Sequence, residues 1–70
     1  MIVYAIKRID LDRDIYFRED MFLSGQNYWF SLGNATFYAS EHSASYDGIE
    51  EYKLKDCKIV KIEIKEVAEV

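Results

Sequence analysis

From Arg18 to Lys53 the chain runs 34 residues without a single lysine or arginine. Half of the molecule therefore has no side chain of fixed positive charge, which disfavours phosphate-backbone recognition through that half. Proline is absent altogether. There is one cysteine, Cys57, so no disulfide can staple the fold, and with one histidine, His42, there is no Cys/His set for structural zinc. The three glycines, Gly25, Gly33 and Gly48, are isolated and form no phosphate-cradling loop. Long apolar runs are missing too. The opening MIVYAI breaks at Lys7, which excludes a signal-peptide core or a membrane span there. No linker, low-complexity tract or repeat divides the chain, so residues 1–70 read as one domain.

What the base-free stretch does hold is acid and aromatic: Glu19, Asp20, Glu41, Asp47, Glu50 and Glu51, with eight of the eleven aromatic residues. The whole chain has 13 acids against 9 bases, a net charge of −4. That balance favours solubility and opposes direct contact with nucleic acid or an anionic membrane. A domain of this size buries roughly 60% of its unfolded surface and is marginal unless its core is dense or shared between subunits. At 16% of the residues, the aromatics supply such a core. A lone thiol and no targeting signal fit a reducing cytoplasm.

Residues Cys57–Val67 read CKIVKIEIKEV, with apolar and charged residues alternating at period two. This is a half-buried β-strand whose row Val60, Ile62, Ile64 is expected to face the core, with Lys61, Glu63 and Lys65 in water, and which ends or bulges near Glu66. Ile2–Ile9 is apolar on both parities, as in an inner strand or one that uses a face for self-association. Asp10–Asp14 reads as a turn into a second strand, Ile15–Arg18, with Met21–Leu23 as its extension. Ser24–Asn27 is turn chemistry before a third strand, Tyr28–Leu32. Ala35–Ala39 fits a short strand or a helix approach. Ser40 or Ser43 can cap a helix reaching about Leu54, weakened by Gly48 at about 1 kcal/mol relative to alanine. The expected fold class is α+β: a three- to four-stranded, mainly antiparallel sheet with one helix packed on a face.

The candidate chemistry is sparse. Asp10, Asp12 and Asp14 resemble the opening of a calcium loop, but its glycine and glutamate positions hold Ile15 and Met21, and Arg13 lies inside the run. A solvated turn is the better reading. His42, Cys57 and Asp56 could pair for nucleophilic catalysis only if folding brought them together, and Cys57 opens an apolar strand where cysteine acts as a small hydrophobe. No catalytic residue, cofactor or metal is expected, and the protein is not read as an enzyme. Tyr28-Trp-Phe30 and Phe37-Tyr38 serve either as core or as contact anchors, since Trp and Tyr dominate protein interfaces.

The opening Val3-Tyr-Ala-Ile-Lys7, the central Trp29, the spaced Ala35-x-Phe37 and the ending Asp56–Val67 together resemble small uncharacterised accessory proteins of bacteriophages and prophages. The likeness spans most of the chain and rests on strand and core positions. It implies a viral accessory protein without a known active site, acting in the host cytoplasm, of the kind that binds and blocks host machinery, as anti-CRISPR and other anti-defence proteins do. On this reading Glu19, Asp20, Glu41, Asp47, Glu50 and Glu51 match a basic surface on a host protein, where they mimic nucleic acid. Tyr28, Trp29 and Tyr38 are the anchors. The alternative from a different class is a structural or self-assembling module, a homodimer that pairs through an edge strand.

Overall fold

The computed structural model describes residues 1–19 and 29–65. Strands β1 (Ile2–Arg8), β2 (Tyr16–Phe17), β3 (Trp29–Phe30) and β4 (Cys57–Glu63) form one antiparallel sheet in the order β3-β2-β1-β4. One helix lies between β3 and β4 in sequence. It starts as a single α-turn, α1 (Glu41–Ser43), and widens into a π-helical segment over Ala44–Glu50. The architecture is α+β, as the sequence pattern implies. Met21–Leu23, Ser24–Asn27 and position 28 lie outside the described residues.

β1 is an inner strand, between β2 and β4. Along one side it pairs with β4 from Ile2↔Glu63 to Arg8↔Cys57. Along the other it meets β2 at Lys7↔Tyr16 and, further on, Tyr38 in a reciprocal bridge with Tyr4. Ala35–Ala39 is thus an extended segment: the Thr36 N–H donates to the Phe17 carbonyl, and Tyr38 exchanges both backbone bonds with Tyr4. A short 3₁₀ turn, Leu32–Asn34, redirects the chain after β3.

The helix begins where its cap residue dictates. The Ser40 side chain accepts from the Ser43 N–H at 3.1 Å, satisfying one of the first-turn donors that have no partner within the helix. Its end is a Schellman motif. The Leu54 N–H donates to the Ile49 carbonyl and the Lys53 N–H to the Glu50 carbonyl, with Lys53 left-handed at φ 53°. Leu54, at the position where this motif places a hydrophobic contact, packs against the core. The regular helix is therefore shorter than the expected run to Leu54, because the chain reverses at Lys53.

Ile6, Phe17, Tyr38 and Ala44 form the core, with Tyr4, Trp29, Ile49, Tyr52, Leu54, Cys57 and Ile59 packed around them. Phe17 is its aromatic centre, edge-on to Trp29 at 5.9 Å and to Tyr52 at 5.0 Å. Gly48 is buried where the helix meets the sheet, and a β-carbon there would collide with Ile6 and lie 2.9 Å from the Tyr38 hydroxyl. The residue that looks like a flaw in the helix is what lets the helix settle on the sheet.

One expectation is reversed. Cys57 and Ile59 pack under the helix, so the row Val60, Ile62, Ile64 faces the other side of the sheet. Lys61 and Glu63 share the helix-side parity but lie further along β4 than Cys57 and Ile59, and both are exposed. Val60 and Ile62 are half-buried and Ile64 is 41% exposed. Register places Val3 and Ala5 beside Ile62 and Val60 on that second face, so both faces of the inner strand are apolar for a reason.

Candidate protein-binding surface

The acids and aromatics singled out in the sequence separate into two groups. Glu19, Trp29 and Tyr38 belong to the fold. Tyr38 is only 7% exposed, and its hydroxyl donates to Glu19 Oε1 at 2.9 Å. The Glu19 N–H in turn donates to Thr36 Oγ1 at 2.7 Å. This chain of bonds ties β2's exit to the extended segment before the helix. Burial first, then the bond to Glu19, raises the pKa of the Tyr38 hydroxyl far above its ordinary value. Trp29 is half-buried against Phe17, with the Arg8 guanidinium 5.3 Å from its ring centroid. Tyr38 cannot act as a surface anchor, and Trp29 offers a partner only its rim. Asp20 and Tyr28 fall outside the described residues.

Glu41, Asp47, Glu50 and Glu51 form the second group. All four are exposed, along the helix and at its C-terminal cap. Among the described residues, none of them joins an ion pair. The two salt bridges, Lys7–Asp14 at 2.8 Å and Arg8–Asp10 at 2.6 Å, are both at the β1–β2 connection. The helix therefore presents exposed carboxylates that form no ion pair among the described residues.

His42 and Tyr46 sit among these acids, their rings 4.5 Å apart and tilted. Tyr46 is 56% exposed. It is the aromatic residue of this surface, and the sequence reasoning passed over it. The signal was present: positions 42, 46 and 50 recur at helical spacing on the face away from Ala44, Gly48 and Tyr52.

Among the described residues, the other candidates from the sequence lie apart from one another. Each end of the D-x-D-x-D run is taken by a base. Lys7 and Arg8, bonded to Asp14 and Asp10, hold those carboxyls below their usual range. An open groove beside this turn is lined by Lys7, Arg8, Arg13, Lys58 and the carboxylates of Asp12 and Asp14. Among the described residues no group of three histidine, cysteine or acidic side chains is placed to hold a metal. Burial, with Asp56 next to it, pushes the Cys57 thiol up and keeps it protonated, the opposite of what a nucleophile needs. His42 stacks on Tyr46 instead of pairing with a thiol. No helix among the described residues is long and apolar enough to cross a membrane.

No family model, curated protein or solved structure matches this chain.

Proposed function

We propose that this chain is a non-catalytic binding protein that docks the outer face of its helix on a basic protein surface. One observation carries the reading: Glu41, Asp47, Glu50 and Glu51 are exposed on the segment that also exposes Tyr46, and none of them joins an ion pair among the described residues. Mutual repulsion among them is a small cost to the fold, and a partner of opposite potential would offset it and speed encounter. A tyrosine amid the charges supplies the amphipathic contact that interface centres favour. The resemblance to phage accessory proteins narrows the partner to a host protein in the cytoplasm. A nucleic-acid-binding groove is the natural target, because carboxylates can occupy positions where it expects phosphates. The chain would then act as an inhibitor of the anti-defence or anti-CRISPR type.

The test is a charge reversal on the helix. A partner is first isolated by affinity capture from host lysate and purified, and its Kd for the wild-type chain is measured. Glu50→Lys/Glu51→Lys should weaken that binding at least tenfold, and wild-type binding should fall as salt rises. The same variant should melt at or slightly above the wild-type temperature, since acids at a helix C-terminus oppose its dipole. A double reversal that binds the purified partner as tightly as wild type, with no salt dependence, removes the reading.

A further inference from the structure

We infer that β4 is a homodimerisation edge, and that two copies pair along it as antiparallel strands about a two-fold axis at Ile62. The inference uses a different surface from the acidic helix and does not depend on it.

β4 ends the sheet, and among the described residues no strand pairs with its outer side. Its seven residues make it a full-length strand, not a shortened edge. Which backbone groups face outward follows from the bonds it makes inward. Ile64 exchanges N–H and carbonyl bonds with Met1, and the Asp56 carbonyl accepts from the Ile9 N–H. Even-numbered residues therefore bond to β1. The N–H and carbonyl groups of Cys57, Ile59, Lys61 and Glu63 point to the open edge.

Side chains then choose the partner and the register. In a two-fold pairing with the same face of each sheet on the same side, residues of equal parity lie opposite each other. Centring on Lys61 sets that lysine against its own copy. Centring on Val60 sets Lys58 against Ile62, Lys61 against Ile59 and Glu63 against Cys57. Centring on Ile62 sets Lys61 against Glu63 of the second copy, and Glu63 against its Lys61. The same register sets Ile62 against Ile62 and Val60 against Ile64. Of these three, only the Ile62 register matches opposite charges on one face and apolar side chains on the other. It also covers the exposed Ile64. The rows formed by buried Ala5 and half-buried Val3, Val60 and Ile62 would then run from one subunit into the next. The self-complementary sequence makes a second copy of this chain the occupant, in place of a foreign strand.

Sedimentation equilibrium on the full chain, at roughly 10 μM to 1 mM, tests this. Wild type should show a monomer–dimer equilibrium. Lys61→Glu and Glu63→Lys each convert two cross-strand attractions into repulsions, and each should raise the dimer Kd about tenfold. The double swap Lys61→Glu/Glu63→Lys restores the attractions and should bring Kd back to the wild-type value. Circular dichroism of all three variants should match wild type, because both side chains are exposed. A wild-type chain that stays monomeric over the whole range overturns the inference. So do single variants that dimerise as wild type does, or a double swap that stays as weak as the singles.

Discussion

Gly48 lies against Ile6 at a point where there is no room for a β-carbon. Ile6 is fully buried and cannot swing aside into solvent. Gly48→Ala should therefore lower stability, although alanine is the better helix former. Propensity favours the change by about 1 kcal/mol, while overpacking costs about 1–3 kcal/mol. A net loss of about 1 kcal/mol is expected, read as a fall of roughly 4–8 °C in Tm. A rise in Tm would mean that the helix and sheet do not meet at this glycine.

Lys53 presents the reverse case. It holds the left-handed position of a Schellman motif, where glycine is usual. Lys53→Gly should remove a left-handed penalty larger than the backbone freedom it adds to the unfolded chain. Stability should rise by about 0.5 kcal/mol in denaturant melts. Lys53→Ala, which keeps the β-carbon, should give no such gain.

Tyr38 makes stability depend on alkaline pH. Its folded pKa is raised above the unfolded value of about 10, so the folded state holds this proton more tightly. The contribution is complete below pH of about 10 and fades as pH climbs above it. Ultraviolet titration should find that Tyr38 ionises well above the ordinary tyrosine range. In Tyr38→Phe that group should be missing, the alkaline decline in stability shallower, and neutral stability lower by about 1 kcal/mol from the lost bond to Glu19.

Ile59 and Ile62 lie on opposite faces of β4, and only Ile59 packs against the core cluster. Ile59→Ala should cost about 2 kcal/mol or more, and Ile62→Ala about 1 kcal/mol when measured on the dilute monomer. Equal losses would put the two side chains in equivalent environments and contradict the placement.

Strands β1 and β4 were legible because alternation with β-branched residues leaves few other conformations. The helix start was legible because Ser40 has the side chain a cap requires. The facing of β4 was not, because both parities carry apolar residues. Cys57 and Ile59 occupy one, Val60, Ile62 and Ile64 the other, and the longer row invites the wrong choice. What decides is where the short helix lands, over the Cys57 end of the strand, and that depends on Gly48 and Ile6, which lie far apart in sequence. The exposure of the proposed surface was legible in part. Glu41, Asp47, Glu50 and Glu51 are exposed, whereas Glu19 and Tyr38 satisfy each other inside the fold. No local pattern marks a carboxylate as the acceptor for a tyrosine nineteen residues away.

The longest ladder of the sheet joins the first strand to the last, Ile2 to Glu63 and Arg8 to Cys57. Almost every residue of the domain lies between those partners. A hairpin of β1 and β2 can close early, but it is held by a short register. The inner strand gains its main partner only once β4 is available. Loop closure over such a separation makes folding slow for a chain of this length. Until then apolar β1 has one side unpaired, so during synthesis the nascent chain is most vulnerable to aggregation and proteolysis just before β4 emerges.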